Sequence, residues 1–377
     1  MMPFTHRILA LIAAIGLVVT FWQGPAVSTW LAYHGSSLKS LSSQQFFGSN
    51  SINDAVIQRR VVAVADLHGD LEHAHNVLRM AHLIDNDELP NWIGGHDVLV
   101  STGDIVDRGD DTIALYQMFQ RLRQQARSQG GDVLNCIGNH EMMNALMDWR
   151  YVTPGDLKSF GGAKARRHIM STDGWIGQDW SANFSISHTI ELLSPSHLPQ
   201  ALSKAYSVPR ASFVHGGIHP KWAALGLAHI NQVGHSLLLK ALSNPRPQGW
   251  LPDGTTKEET EFYGEHGPLW YRGYALDEER SVCNEADKAR LDLGVRHLVM
   301  GHTPHLSGFV IRCSGSVLLI DTGISRAYGG EQSALIFDTL IQPIQGKGVW
   351  EEKSTITALY KGRLPKIIDT RVRHVDV

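Results

Sequence analysis

Six short segments of this chain each end a hydrophobic stretch with residues of the kind that bind metal ions or phosphate, and they constrain the fold more than any other feature. The segments are residues 65–69, 103–109, 138–141, 215–217, 270–273 and 301–303. Ligands of α/β folds gather outside the carboxyl ends of the strands, so these segments are expected to converge. A single Asn-His or His-Gly-Gly sequence carries little weight, whereas the whole ordered set predicts one site.

The candidate metal ligands are carboxylates, an amide and imidazoles, the donors that hard and borderline divalent cations prefer. Asp66 and His68 are predicted to bind one cation, and Asp104 to bridge two, because one carboxylate can give an oxygen to each. The second cation receives neutral ligands, namely Asn139, His215 and His302. Two cations about 3.5–4 Å apart can lower the pKa of a bridging water to about 7, which predicts a metal-bridging hydroxide as nucleophile.

Four further residues are assigned to proton transfer and phosphate binding. His140 is predicted to be the general acid that protonates the leaving oxygen. Asp107 would orient that imidazole and keep it protonated, and it could also cap the helix that follows. Arg108 and Arg272 are predicted to bind phosphate oxygens, with a surface position as the alternative for Arg272. Together these roles predict hydrolysis of a phosphate ester without a serine or cysteine nucleophile.

The spacing of apolar residues predicts an α/β sandwich with helices covering its sheets. Apolar runs of strand length occur at 61–64, 98–100, 133–137, 212–214, 297–300, 317–320 and 334–337. Residues 70–84 and 111–129 carry apolar residues three and four apart, as amphipathic helices do. No clear strand is evident from about 142 to 208. Because a structureless loop of this length is uncommon, this interval is predicted to be a helical or irregular insertion that caps the site.

The N-terminus indicates a targeting segment. Residues 8–22 form a nearly unbroken apolar run, which is short for a membrane span of about 20 residues and matches the core of a signal peptide. Residues 1–28 are therefore predicted to be a signal peptide or a retained membrane anchor, and 29–57 a linker. The phosphoesterase domain is assigned to 58–345 and a C-terminal tail to 346–377. This organisation predicts a protein of the secretory pathway, lumenal or anchored to a membrane.

The composition excludes two classes of protein and leaves the cysteines open. A formal net charge of -3 gives no basic surface for nucleic acid, and 43% hydrophobic residues exclude a disordered chain. Cys283 and Cys313 can pair if the domain is lumenal, and free core thiols are the alternative. Asn183 begins the one N-glycosylation sequence of the chain.

The motifs resemble those of the calcineurin-like metallophosphatases, within the phosphoprotein phosphatase family. The patterns on which the resemblance rests are Gly-Asp-x-Val-Asp-Arg-Gly, Gly-Asn-His-Glu, His-Gly-Gly and Asp-x-His-Gly. The last of these is preceded here by Ala65 instead of glycine. Segments 139–144, 150–152, 269–274 and 321–325 are similar to the Shewanella-like protein phosphatases. The resemblance implies a metal-bridged β-sandwich, two manganese or iron ions with zinc as an alternative, and phosphorylated proteins or small phosphoesters as substrates. Alanine at position 65 should matter little unless that residue needs a positive φ.

Two other functions remain open on the sequence alone. The same scaffold could cleave a phosphoanhydride such as a diadenosine polyphosphate, with Arg166, Arg167, Trp175 and Trp180 binding the nucleotide. A non-catalytic, membrane-tethered binding protein would have lost at least one ligand, and none is lost here.

Among phosphorylated residues, phosphotyrosine is the expected preference. An insertion over the site would recess the metals beyond the reach of a short phosphoserine, and its aromatic residues could line the aryl ring. The Shewanella-like resemblance implies the same preference.

Overall fold

The structure of this protein is a computed structural model that describes residues 56–243 and 250–376. The predicted signal peptide or anchor at 1–28, and the predicted linker at 29–57 apart from its last two residues, lie outside the described residues. Within the described part, none of the helices has both the length and the apolar character that crossing a membrane requires.

Strand β1 (Ile57–Val64) shows why the fold has two sheets with helices on their outer faces. Val61 and Ala63 lie in a core shared with the second sheet, whereas Val62 and Val64 pack against helices. Successive side chains of a strand point to opposite faces, so an unbroken apolar run is buried on both. The two sheets with flanking helices form the predicted α/β sandwich.

The first sheet combines a parallel and an antiparallel half. Its other strands are β2 (Val98–Ser101), β3 (Asp132–Cys136), β4 (Phe184–Ser185), β10 (Ser333–Ile344), β11 (Val349–Tyr360) and β12 (Lys366–Asp376). The order is β12-β11-β10-β1-β2-β3-β4, and β1 to β4 are parallel. The antiparallel partner β10 pairs with β1 through residues such as Ala63 and Leu335.

The second sheet is smaller and mostly parallel at its centre. Its strands are β5 (Ser187–Glu191), β6 (Arg210–Val214), β7 (His297–Met300), β8 (Val310–Arg312) and β9 (Val317–Leu319). The order is β5-β6-β7-β9-β8, with β6, β7 and β9 parallel. Phe213 of this sheet meets Phe337 of the first sheet edge to face, with ring centroids 6.1 Å apart. This contact lies in the core between the sheets.

Helices cover both outer faces. They are α1 (Leu71–Met80), α2 (Thr112–Ser128), α3 (Asn139–Ala145), α4 (Pro154–Ser159), α5 (Ala163–Ile169), α6 (Trp175–Asn183), α7 (Gln200–Ala205), α8 (Pro220–Ala223), α9 (Leu227–Ser243), α10 (Lys257–Phe262), α11 (Gly273–Leu276) and α12 (Glu279–Leu293). Helix α1 begins where the side chain of Asp70 accepts a hydrogen bond from the amide of His73, and α12 ends at Gly294 in the left-handed conformation.

The residues expected to form a C-terminal tail, 346–377, instead contribute β11 and β12 to the first sheet. The inward-facing positions of β11 include Glu352 and Ser354 as well as apolar residues, and both polar side chains are buried. These residues interrupt the alternation of apolar and polar side chains by which a strand is recognised. The assigned domain boundary at 345 is therefore wrong, because the sheet continues beyond it.

The interval 142–208 is mainly helical up to residue 183, but it also contains strands that the sequence did not indicate. β5 pairs antiparallel with β6 at the edge of the second sheet. Four of its five residues are polar, so it lacks the apolar signal of a central strand. The interval is thus partly an insertion and partly a component of the sandwich.

Cys283 of α12 and Cys313 after β8 form a disulfide, with Cα atoms 5.3 Å apart. The sequence left open whether these two cysteines pair or remain free thiols, and in the structure they pair. Cys136 is a buried free thiol. The side-chain amide of Asn183 donates to Asp179 at 2.7 Å, so glycosylation there would first have to break this bond.

Candidate metal centre

The predicted ligands lie in turns that follow the carboxyl ends of strands, and backbone hydrogen bonds tie these turns together. The amides of Leu67 and His68, after β1, donate to the carbonyl of Asp104, after β2, at 3.0 and 2.9 Å. The amide of Gly301, after β7, donates to the carbonyl of His215, after β6, at 2.9 Å. The strands therefore fix the separation of the side chains before any metal binds.

Asp104 lies at the centre of the cluster. Its Oδ2 atom is 3.3 Å from Nε2 of His215, 3.7 Å from Nε2 of His68 and 3.8 Å from Nε2 of His140. All four side chains are buried. An oxygen so placed among imidazoles of different turns can contact two cations.

The remaining predicted ligands surround this carboxylate. Oδ1 of Asn139 is 2.6 Å from Nε2 of His215, which is 3.1 Å from Nδ1 of His302. Oδ2 of Asp66 lies 4.0 Å from Nε2 of His68, and both oxygens of Asp66 accept from the amide of His302 at 3.2 Å. The structure thus brings all six predicted ligands into one buried cluster.

The chemistry of the cluster fits divalent cations. Nε2 of His215 lies within 3.3 Å of Oδ2 of Asp104, Oδ1 of Asn139 and Nδ1 of His302, a convergence of lone-pair donors of the kind that divalent cations bind. Burial and the carboxylates of Asp321 and Asp104 raise the pKa of Asp66. Burial likewise raises the pKa of Asp321 to about 6. Carboxyl groups crowded in this way are stabilised in their charged form by a cation.

Asp321, which follows β9, was not among the predicted site residues, although its segment carried part of the family resemblance. Its side chain is buried and accepts a hydrogen bond from the amide of Gly323 at 2.9 Å. An acidic residue after a buried strand is the signal that could have identified it.

His140 and Asp107 form the predicted pair. Nδ1 of His140 is 2.7 Å from Oδ2 of Asp107, and both side chains are buried. Burial lowers the pKa of His140, but the carboxylates of Asp104 and Asp107 outweigh it and raise the pKa above its ordinary value. The arrangement holds the imidazole with Nε2 directed towards Asp104.

A buried network behind Asp107 was not predicted. Nδ2 of Asn144 donates to Oδ1 of Asp107 at 2.9 Å, and Nη1 of Arg166 donates to Oδ1 of Asn144 at 2.5 Å. Nη2 of Arg166 reaches Oδ1 of Asp107 at 3.5 Å, and its Nε donates to Asp156 at 2.9 Å. The helices of the insertion therefore supply the groups that orient the His140–Asp107 pair.

This network also changes the interpretation of the insertion. Arg166 and Trp180 were considered as nucleotide-binding residues, but both side chains are fully buried. Buried in this way, neither side chain can contact a ligand at the site. Of the four residues named for the dinucleotide alternative, only exposed Arg167 and partly exposed Trp175 stay accessible.

Glu141 fixes the turn that carries Asp104. Its Oε2 accepts from the amides of Asp104 at 2.9 Å and Gly138 at 2.8 Å, and its Oε1 accepts from Ile105 at 2.8 Å and from the Tyr116 hydroxyl at 3.0 Å. A Cβ atom at position 138 would lie 2.1 Å from Oδ1 of Asp104, so only glycine fits there. The Gly-Asn-His-Glu pattern therefore has a steric reason as well as a chemical one.

Several site residues have a left-handed backbone conformation that is rare for side chains other than glycine. They are His68 (φ 42), Asp104 (φ 53), Asp107 (φ 72), Arg108 (φ 63) and His302 (φ 70). Such strain concentrates at functional sites and persists only where surrounding contacts enforce it. Ala65 has no positive φ, so the alanine that replaces the usual glycine is compatible with its backbone.

The two predicted phosphate-binding arginines lie at the rim. The guanidinium carbon of Arg108 is 4.3 Å from the ring centroid of Tyr151 and 4.9 Å from that of Tyr328. Nη1 of Arg272 donates to the carbonyl of His302 at 3.0 Å and to Oγ1 of Thr303 at 2.8 Å. Both arginines are partly exposed, and each retains N–H groups for an anion.

The geometry agrees with the family to which the sequence matches. Residues 59–306 match the family model described as calcineurin-like phosphoesterase. An uncharacterized protein of Schizosaccharomyces pombe is 36% identical over 81% of this chain and 82% of its own length. The chain belongs to the calcineurin-like phosphoesterase family. It is therefore a phosphoester hydrolase, and the family implies divalent metal ions for which this cluster is suited.

Other relatives and a solved structure are more distant. Shewanella-like protein phosphatase 2 of Arabidopsis thaliana is 28% identical over 71% of this chain and 72% of its own length. The crystal structure of a cold-active protein-tyrosine phosphatase of a psychrophilic Shewanella species superimposes with a TM-score of 0.60 at 22% identity, covering 82% of this chain and 80% of that one. At this identity the structural likeness establishes the fold.

Proposed function

We propose that this protein is a metal-dependent protein phosphatase that hydrolyses phosphate monoesters and prefers phosphotyrosine. The observation that carries the proposal is the convergence of a buried ligand cluster, an imidazole–carboxylate pair and rim arginines at one edge of the sandwich. The residues that would hold two divalent cations are Asp66, His68, Asp104, Asn139, His215 and His302. Manganese or iron is the expected identity, with zinc as an alternative. When bound, such cations activate water and neutralise phosphate charge.

His140 would donate a proton to the leaving oxygen of the substrate. The short contact to Asp107 fixes the Nδ1 side of the ring, which leaves Nε2 available to face the substrate. Asp107 also stabilises the protonated imidazole by its negative charge. With His140 as the proton donor and Asp107 as its partner, no further acidic group is needed to protonate the leaving oxygen.

Arg108 and Arg272 would bind the phosphate oxygens that face away from the metals. Their planar guanidinium groups match the geometry of phosphate. Arg108 lies over the rings of Tyr151 and Tyr328, and Arg272 uses Nη1 for both of its hydrogen bonds, so the side chains are held near the rim while N–H groups stay available for phosphate.

The preference for phosphotyrosine is supported by the aromatic walls beside Arg108. Tyr151 also packs against His140, with ring centroids 5.0 Å apart, and Tyr328 lies 5.4 Å from the ring of His68. A phenyl ring entering beside Arg108 would gain offset or edge contacts with Tyr151 or Tyr328 that a serine side chain cannot make. The Arabidopsis thaliana relative named above is called a protein phosphatase, and the solved structure is called a protein-tyrosine phosphatase.

The proposal is tested with two peptides of identical sequence that differ only in carrying phosphotyrosine or phosphoserine. We expect a higher kcat/KM for phosphotyrosine in the wild-type enzyme. Tyr151→Leu should narrow this difference by raising KM for phosphotyrosine alone. Equal or faster hydrolysis of phosphoserine by the wild-type enzyme would refute the preference, and hydrolysis of neither peptide would refute the protein phosphatase assignment.

We further propose that the domain faces an oxidising compartment, as a secreted or membrane-anchored lumenal protein. The Cys283–Cys313 disulfide supports this location, because disulfides persist mainly in such compartments. The apolar residues 8–22 would direct entry and could remain as an anchor. Thiol labelling of the protein taken from cells should leave both cysteines unmodified until a reductant is added, and labelling without reductant would contradict the location.

A further inference from the structure

A cavity of about 570 Å³ lies away from the metal centre and is lined by five arginines. These residues define the arginine pocket: Arg210, Arg290, Arg296, Arg371 and Arg373. Arg210 begins β6 and Arg296 precedes β7, whereas the metal-centre residues His215 and His302 follow the other ends of these strands. A strand of four or five residues spans about 13–17 Å, so the two sites are separate.

Two of the arginines share one buried acid. Nη1 of Arg296 is 3.0 Å from Oε1 of Glu352, and Nη2 of Arg373 is 2.5 Å from Oε2 of the same carboxylate. Glu352 is fully buried and also accepts from the hydroxyl of Tyr206. One negative charge therefore serves two guanidinium groups, which it holds in place without neutralising both.

The other three arginines are less fully paired. Arg290 contacts Asp287 at 2.8 Å, but its buried Nε atom has no partner. Arg371 contacts Asp369 at 2.7 Å. The side chain of Arg210 makes no hydrogen bond or ion pair with any residue in the described ranges.

The pocket therefore has a surplus of positive charge, because five guanidinium groups face three carboxylates. Burial lowers the pKa of His297, the residue after Arg296, to about 4, and the charges of Arg371, Arg296 and Arg290 act in the same direction. This concentration of charge is local, since the whole chain has a formal net charge of -3.

The shape of the pocket limits what it can bind. Its size falls within the range of about 300–1,000 Å³ that is usual for small-molecule sites. Gly294 lies at its edge, and a Cβ atom there would be 2.6 Å from Nη2 of Arg210, so a larger residue would displace the arginine. The apolar side chains of Val208, Leu291 and Val295 complete the walls. The pocket is open to solvent and is large enough to hold a compact anion.

We propose that the arginine pocket binds a small anion that carries two or more adjacent phosphate groups. Guanidinium groups bind phosphate through paired N–H donors, and arginines from β6, α12 and β12 could reach different phosphates of one ligand. A single phosphate would satisfy only part of the surplus charge. Inorganic polyphosphate and a nucleoside triphosphate share this chemistry. If the apolar side chains of the pocket contact the nucleoside, the nucleoside triphosphate should bind more tightly than inorganic polyphosphate.

The proposal is tested by calorimetric titration of the metal-loaded full-length protein with inorganic tripolyphosphate, adenosine triphosphate and inorganic phosphate. We expect saturable binding of at least one of the first two, at least tenfold tighter than binding of inorganic phosphate. Arg210→Gln should weaken it by about tenfold, because charged hydrogen bonds are lost. Since Arg210 is exposed and unpaired, its substitution should leave the melting temperature and aryl phosphate turnover unchanged.

Two controls separate the arginine pocket from the metal centre and from general charge effects. Arg167→Gln removes an exposed arginine of α5 and should not alter binding. Asp104→Asn impairs the metal centre and should leave the Arg210-dependent binding intact. Three outcomes would each overturn the proposal. The first is binding that is lost in Asp104→Asn and kept in Arg210→Gln, and the second is a weakening by Arg167→Gln equal to that by Arg210→Gln. The third is a lack of saturable binding of both tripolyphosphate and adenosine triphosphate.

Discussion

The two sides of the candidate metal centre differ in how their functional side chains are held. On the His140 side, the imidazole contacts buried Asp107, which in turn contacts buried Asn144 and Arg166. On the Arg272 side, a partly exposed guanidinium is fixed by hydrogen bonds to the carbonyl of His302 and the hydroxyl of Thr303. On the His140 side, two successive layers of buried residues support the imidazole. On the Arg272 side, one set of contacts at the rim holds the guanidinium.

This difference corresponds to what each side has to do. Proton transfer requires an imidazole at a defined distance and orientation, and small errors of position reduce the rate strongly. Binding of phosphate by a guanidinium tolerates more movement, because several N–H donors can exchange places. Substitutions on the His140 side are therefore expected to lower kcat, and those on the Arg272 side to raise KM.

The largest effect is expected at Asp104, which lies between the two sides. Asp104→Asn keeps the shape of the side chain but removes the charge on which both groups of ligands converge. Turnover should fall by at least about 10³-fold, with loss of bound metal, because two-metal catalysis depends on the shared ligand. Initial rates and elemental analysis of the purified protein measure both quantities. A variant that keeps full activity and two metals would show that Asp104 is not the bridge.

On the His140 side, His140→Ala should lower kcat by about 10²–10⁴-fold while the bound metals remain. The loss should be smaller for a nitrophenyl phosphate, whose leaving group needs little protonation. Comparing the deficit between this substrate and a phenyl phosphate tests the role. If both substrates suffer equally, His140 is not the general acid.

A smaller effect on the same side is expected for Arg166, a positioning residue that contacts Asp107 and Asn144. Arg166→Gln should reduce kcat by about tenfold through misorientation of His140, and breaking the buried network should lower the free energy of unfolding by about 3 kcal/mol. Steady-state kinetics and urea unfolding measure the two effects. The deficit should depend on the leaving group as in His140→Ala, which a purely structural role would not cause.

Arg167→Gln is the matched control, since it changes the adjacent but exposed arginine of the same helix. It should leave kcat and stability near those of the wild type. If the two substitutions lowered kcat and stability equally, the positive charge of α5 would matter at either position, and the buried contact of Arg166 to Asp107 would be unimportant.

The two sides also differ in how far the sequence predicted them. The ligands and His140 were identified because each follows a strand directly, so local sequence carries the information. Arg166 lies 59 positions from Asp107, and nothing in its neighbourhood indicates that it is buried against a carboxylate. A contact of this kind depends on how the insertion folds back, which no spacing rule describes.

The same limit applies to the fold. Strands with continuous apolar runs, such as β1 and β7, were predicted close to their actual positions. β11 was missed because buried Glu352 is stabilised by arginines that are distant in sequence. The left-handed conformations of Asp104 and His302 could not be predicted either, since Asp and His adopt them more often than most residues but still only in a small fraction of cases.

On the Arg272 side, Arg272→Gln should raise KM for a phosphopeptide by about tenfold, the loss expected for one charged hydrogen bond, and change kcat less. Arg272→Lys keeps the charge and should recover part of the affinity. Initial-rate kinetics over a range of substrate concentrations separate KM from kcat. A kcat defect as large as that of His140→Ala would remove the proposed distinction between the two sides.

The smallest catalytic effect is expected from the disulfide near the Arg272 side. α12, which follows the segment of Arg272, carries Cys283, and Arg312 beside Cys313 donates to the carbonyl of Tyr274 at 2.9 Å. Cys283→Ser should lower the free energy of unfolding by about 3–4 kcal/mol, because the 30-residue separation is no longer closed in the unfolded chain. KM should rise by less than about twofold, because the contacts of Arg272 to His302 and Thr303 remain. Urea unfolding and steady-state kinetics of the variant, beside reduced wild-type enzyme, provide the measurement. A rise in KM comparable to that of Arg272→Gln would mean that the disulfide also holds Arg272 in position. The Arg272 side would then have a second layer of support, as the His140 side has.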